Sequence, residues 1–338
     1  MHYSFIIPVY NCKSYLPACV ESIRASGVSD YEIILVDDGS ADGSAEVCDA
    51  LAAQFPAVRV IHQANGGASA ARNRGIREAQ GEQLLFLDAD DTIDSDALGA
   101  VLADPRCQEN DLTIFGLTFD YYRNGQCYRR DPLYFKQDGI LERGTWCRAF
   151  AQLYADNSLS PIWNKVFKRS ILLEQGLELN TDMFLYEDFE FVLRYMRYCG
   201  KIWNVPQAIY HYRQSEDEGN AKRRLSRIDC LSAFLAPIEA ALDQLVNVDH
   251  EQKATVLVQL FQVLAKEKIS VSALSQIRSI CSDYAAWYRG RGFQAGENVL
   301  HRQLMDGKAA ALLLRDKETA IRHKIAVWAK AHHLYKRK

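Results

Sequence analysis

Three carboxylates occupy four positions at Asp88-Ala89-Asp90-Asp91, directly after the apolar run Leu84-Leu85-Phe86-Leu87. Like charges this close repel one another unless a cation or a hydrogen-bonding ligand compensates. Alternate residues of a short extended stretch point the same way, so Asp88 and Asp90 can face one ligand together. The bland alternative is a solvated loop in which an Asp caps the next turn, and for Asp91 both uses stand open. A second acidic stretch, Asp37-Asp38-Gly39-Ser40, follows Ile33-Ile34-Leu35-Val36, and there Asp37 has the option of capping the next helix. A third pair, Glu187-Asp188, opens a segment of helical spacing, where first-turn acids also complement a helix dipole. Such groups can hold a divalent cation, bind a nucleotide, or move a proton.

The elements that must position them are readable. The run before Asp88 has the unbroken apolar character of a parallel strand covered on both faces. Tyr3–Val9, Tyr31–Val36, Val58–His62 and Asp111–Leu117 read as further strands. Apolar residues at Leu16, Cys19, Val20 and Ile23 predict a helix over Leu16–Ser26, with others near Ser44–Gln54 and Ala70–Ala79. This alternation predicts an α/β, Rossmann-like, mostly parallel doubly wound sheet with right-handed crossovers. The loops Pro8–Asn11, Asp37–Ser40 and Asp88–Asp91 then meet at one edge, outside the carboxyl ends of the strands, where ligands gather.

Further along, turn signals at Asn124-Gly125 and Asp138-Gly139 within the aromatic, polar stretch Thr118–Ile140 predict hairpins. Ser160–Phe167 leads into a short helix from about Ser170. Phe189, Val192, Leu193 and Met196 stand at i, i+3, i+4 and i+7 of a helix, and Ile202–Tyr212 returns as a strand. A composition shift at Ser215–Asn220 divides the chain into an α/β domain, 1–220, and a helical region, 221–338.

The charge of −3 on 338 residues favours neither a nucleic-acid partner nor a disordered acidic chain, and 48% hydrophobic content is ample for a core. The nine Cys are scattered without a Cys-x-x-Cys pair, which fits reduced thiols in a cytoplasmic protein. The N-terminus lacks a signal-peptide pattern, and no run of 18 apolar residues exists. Residues 322–338 carry six Lys/Arg and no acid. With Ile321, Ile325 and Trp328 on one face, this tail reads either as an interfacial helix on anionic lipid or as a packed terminal helix.

Pro8-Val9-Tyr10-Asn11, Asp37-Asp38-Gly39-Ser40, Asn65-Gly66-Gly67, Ala71-Arg72-Asn73-x-Gly75, Asp88-Ala89-Asp90-Asp91, Trp163-Asn164-Lys165 and Glu187-Asp188 occur in that order. The set closely resembles the family 2 glycosyltransferases of the GT-A fold, especially bacterial enzymes that build surface polysaccharides, over about residues 3–215. The resemblance implies an inverting transfer from a UDP-sugar to a glycan or lipid-linked glycan acceptor. Asp188 would be the general base, with Glu187 orienting the acceptor or raising the base's pKa. Asp90 would hold Mn²⁺ or Mg²⁺, with Asp88 and His211 as further ligands and Asp88 also meeting donor hydroxyls. Asp38 would accept the uracil imide hydrogen, walled by Pro8 and Tyr10. Asn65 and Gly67 allow close backbone approach, and Arg72 is a charged partner for the acids or the donor. Trp163 is either an acceptor platform or core, and Asn164 and Lys165 brace the site. The rival readings are a sugar-1-phosphate nucleotidyltransferase, which wants a Gly-rich loop after the first strand, and a non-catalytic nucleotide- or glycan-binding module. A cytoplasmic location, peripheral on the membrane if the tail binds lipid, completes the expectation.

Overall fold

The computed structural model describes residues 2–183, 186–215 and 231–249, together with 252, 253, 256 and 260. The chain opens with β1 (Tyr3–Val9), α1 (Leu16–Arg24), β2 (Tyr31–Asp37), α2 (Ser44–Gln54), β3 (Val58–His62), α3 (Ala68–Glu78) and β4 (Gln83–Phe86). Each strand of this series falls within a residue or so of the position that its apolar run predicts. β1 is buried almost throughout, with α3 packed against it, and it reads as a continuous hydrophobic run.

A short β5 (Thr92–Ile93), α4 (Ser95–Ala103) and α5 (Pro105–Glu109) follow, then the hairpin of β6 (Leu112–Arg123) and β7 (Gln126–Leu133) around Asn124-Gly125. β8 (Gly139–Glu142), α6 (Arg143–Arg148), α7 (Phe150–Ala155), β9 (Lys165–Lys168), α8 (Arg169–Glu174), α9 (Glu187–Met196) and β10 (Lys201–Ser215) complete the body, and α10 (Leu231–Gln244) lies beyond it.

The sheet order is β3-β2-β1-β4-β9-β6-β10-β5, with β7 on β6 and β8 on β10. β3, β2, β1 and β4 are mutually parallel, so the ends of β1, β2 and β4 share one edge. The second half departs from the doubly wound expectation. β9 enters antiparallel between β4 and β6, so the fifth predicted strand is not beside the fourth. Ser160–Phe167, expected to be a lead-in to a helix, contains this strand, which is too short to show a period. Asp138-Gly139 does not turn a hairpin; it starts β8, which pairs antiparallel with β10. β10 carries Pro206 where its register against β6 shifts, the place a strand tolerates a missing N–H.

α3 lies hard against β1. A Cβ on Gly75 would come 2.2 Å from Cγ2 of Ile6, so only glycine permits this approach. The chain divides into two compact units, Met1–Ala221 with Ala233–Lys253, and Lys222–Ser232 with Ala254–Lys338. Among the described residues no helix is long and apolar enough to cross a membrane. The basic tail, and all of the expected helical region except α10 and its neighbours, lie outside the described residues.

Candidate active site

The loops after β1 and β2 are bound to one another by their own side chains. Asn11, in the left-handed region at φ +51°, donates its backbone N–H to Ser40 Oγ and accepts from Ala41 N–H. Asp37 is buried and accepts from the Ser40 backbone at 3.1 Å, while His62 Nδ1 lies 2.9 Å from its other oxygen. It therefore closes the turn and does not cap α2, which begins seven residues later. Burial opposes its charge, but His62 and Ser40 hold its carboxyl below the ordinary value.

Asp38 is also buried, and its carboxylate organises the glycine loop. Oδ1 accepts from Gln63 Nε2 and Gly66 N–H, and Oδ2 from Gly67 N–H, all at 2.8 Å. Gly67, at φ +87°, needs glycine's freedom to turn the chain into α3. Asn65 is exposed beside it, Tyr10 stands 55% exposed at the end of β1, and Pro8 lies in β1 opposite Val36.

At the end of β4 the acids separate in role. Asp91 is buried and accepts from the Tyr210 hydroxyl and from the Arg213 backbone, each at 2.7 Å. Burial, with Asp88 and Asp90 adding repulsion, pushes its carboxyl well above the ordinary value. Asp91 is a tie to β10, and the helix cap next in line is Asp94, which accepts from Ala97 N–H. Asp88 donates its backbone N–H to the Tyr210 hydroxyl and stays partly open, as does Asp90.

Arg72, buried on α3, joins this edge to the start of α9. Its Nη2 donates to Asp88 Oδ1 at 2.7 Å and its Nη1 to Asp188 Oδ1 at 3.3 Å. Neighbouring residues of the same helix hold the chain before α9. Asn73 exchanges two hydrogen bonds with the backbone of Leu179, and Arg77 pairs with Glu178. Asn73 stands in the motif Ala71-Arg72-Asn73-x-Gly75, but its tie to Leu179, 106 positions away, has no local signal.

The head of α9 is strained: Tyr186 has φ +60°, an outlier for a bulky residue. Burial raises the Asp188 carboxyl, while Arg72 and then a bond from the Ile162 backbone pull it back. Glu187 is pushed up to about 7 by burial and by Asp188. Behind them Lys165 is buried with its ammonium on Pro161 O and Asn164 Oδ1, and burial lowers its pKa well below the ordinary value. Trp163 stacks on Tyr210 at 4.1 Å between centroids and on Tyr212 at 5.4 Å. It is core, and the platform expectation fails because both neighbours already cover its face.

His211 sits on β10 with Nδ1 3.2 Å from Asp120 Oδ2, a carboxylate backing that metal-binding imidazoles also use. Among the described residues, however, no three of His, Cys, Asp and Glu converge as a metal cage. Asp88, Asp90 and His211 are therefore not a preformed three-ligand site.

Residues 4–171 match the family model described as Glycosyl transferase family 2. The uncharacterized glycosyltransferase EpsJ of Bacillus subtilis is 29% identical over 212 residues, 63% of this chain and 61% of that protein. Poly(ribitol-phosphate) beta-glucosyltransferase of Bacillus spizizenii is 29% identical over 230 residues, 64% of this chain and 33% of that protein. The chain spans about three fifths of the length of the first curated relatives it matches. S. aureus TarS 1-349, solved in complex with UDP-GlcNAc, superposes with a TM-score of 0.69 at 18% identity, covering 96% of this chain and 92% of that one. At that identity the likeness speaks to the fold, which is GT-A.

Proposed function

Since residues 4–171 form a glycosyl transferase family 2 domain, we propose that this protein transfers a sugar, with inversion, from a UDP-sugar to a hydroxyl of a bacterial surface glycan. The observation that carries the reading is the Arg72 bridge, which brings a donor-edge acid and the acid pair of α9 into one site. The UDP bound in TarS and the polyol-phosphate substrate named for the Bacillus spizizenii relative support the choice of donor and acceptor class.

In this reading Asp188 takes the proton of the acceptor hydroxyl as that oxygen attacks the anomeric carbon. Arg72 opposes the upward pull of burial on the Asp188 carboxyl and fixes its orientation, and Glu187 hydrogen-bonds the acceptor. The exposed Tyr10 and the glycine loop carried by Asp38 receive the uridine. Asp38 carries that loop through both of its oxygens.

Hard oxygen donors suit Mg²⁺ or Mn²⁺, which are commonly held by one or two carboxylates together with substrate phosphates. Asp90 and the free oxygen of Asp88 fit that donor set, with His211 as a further contributor. A cation held there would neutralise charge on the departing diphosphate.

A donor screen following UDP release, with and without Mn²⁺, tests the assignment. Asp188→Asn is expected to lower turnover roughly 10²–10⁴-fold, the usual worth of a general base, with UDP affinity retained. Full turnover by that variant removes Asp188 as the base, and release unaffected by chelation removes the metal.

A further inference from the structure

Arg213 has an unusual setting for an arginine at this edge. Its backbone N–H is bound to Asp91 Oδ1, so its position on β10 is tied to the acidic loop after β4. Its guanidinium lies between two rings, 3.7 Å from the centroid of Tyr122 on β6 and 4.7 Å from that of Tyr15, just before α1. Tyr15 closes the loop that follows β1 through its backbone bond to Cys12. The thiol of Cys12 in turn feels the charge of Asp90, after the larger effect of its own burial. The stacked guanidinium therefore stands beside the donor edge.

Among the described residues its charge has no carboxylate counterpart. Several arginines of the body pair with carboxylates, among them Arg72 with Asp88 and Asp188, Arg59 with Glu32, and Arg194 with Glu190. Among the described residues Arg213 pairs with none, and its buried Nε has no hydrogen-bond partner. Stacking between aromatic rings fixes the plane of a guanidinium and desolvates its faces while leaving the edge N–H groups free for a planar or tetrahedral oxyanion. A cation oriented in this way and left without a counterion is a site for an anion.

We infer that Arg213 binds the diphosphate of the nucleotide-sugar donor and stabilises it as it leaves. This rests on the proposed donor class and adds a cationic residue to a site in which acids predominate. When the bond between the anomeric carbon and the diphosphate oxygen breaks, the electron pair remains on that oxygen, and the guanidinium donates hydrogen bonds to the oxyanions of the product. A prealigned donor of this kind acts where charge develops. The Asp91 contact uses the Arg213 backbone, so substitution of the side chain leaves the tie between β4 and β10 in place.

The test is calorimetric titration of the full chain, native and Arg213→Met, with UDP and separately with uridine in the presence of Mn²⁺. The expected result is at least a tenfold loss of UDP affinity in Arg213→Met, with uridine affinity changed less than twofold. Arg213→Lys, which keeps the charge but loses the stacking, should fall between the two. UDP affinity unchanged in Arg213→Met overturns the inference, as does an equal loss for uridine, which would place the effect in the nucleoside site or the fold. A native chain that binds no UDP overturns the donor class itself. A native chain that binds UDP with the variant equal to it leaves the donor class standing and removes only Arg213.

Discussion

The acids at the end of β2 and those where β4 meets α9 have the same side chains and opposite circumstances. Asp37 and Asp38 are enclosed by donors from the protein: His62, the Ser40 backbone, Gln63, and two glycine N–H groups. Asp88 and Asp188 share a single guanidinium, and Glu187 carries a carboxyl raised to about 7. The first cluster is satisfied by the fold and shapes a loop. The second is under-supplied with donors, so its remaining capacity is available to substrate, proton and cation. Acidic clusters are thus separated by their donor supply, and their composition alone does not distinguish them.

The sharpest way to break the contrast is Arg72→Met. It leaves two partly buried carboxylates without their shared cation, an arrangement that costs about 3–5 kcal/mol when one partner of a buried pair is removed. Chemical denaturation should show that loss, together with abolished transfer. A variant as stable as the native chain would mean that the bridge does not join the two halves. Asp38→Ala should come next, at about 0.5–1.5 kcal/mol for each of the hydrogen bonds from Gln63, Gly66 and Gly67 that it removes. Its signature is a lower melting temperature and weaker UDP binding through a disordered glycine loop, with the pH profile of turnover unchanged.

Glu187 sharpens the comparison through pH. Its folded carboxyl is raised from 4.5 to about 7, so the native state holds the proton more tightly than the unfolded chain. The associated stability is present below the ordinary carboxyl range and is lost as pH rises through about 7. Glu187→Gln should flatten that slope in melts taken from pH 4 to 8, the interval spanning roughly the ordinary and raised values. A slope unchanged by the substitution would exclude Glu187 as its source.

The smallest effect belongs to the Asp37–His62 pair, because His62 is 47% exposed and solvent screens it to less than about 1 kcal/mol. His62 is raised, so its contribution is lost as pH climbs through the raised value. Asp37 is lowered, so its contribution is lost as pH falls through the lowered one. The pair should therefore help most between the ordinary carboxylate and imidazole values, and His62→Asn should remove that maximum from the melting profile.

The sequence by itself determined the strands β1 to β4, the helices between them, and the acids that end them. Apolar periodicity reports local burial, and parallel strands covered on both faces leave an unbroken signal. It also marked Glu187 and Asp188 as the head of a helix. β9 was not legible, since four residues are too few for a period, and neither was the turn of Asp138-Gly139 into β8, because pairing partners are distant in the chain. Only the tertiary structure decided how the acids divide their work. Arg72 meets Asp188 across 116 positions, Tyr210 meets Asp91 across 119, and Asp38 meets its glycines across 28 and 29. Whether a carboxylate is spent on the fold or left for chemistry depends on which donors these long-range contacts bring to it, and no local pattern records that.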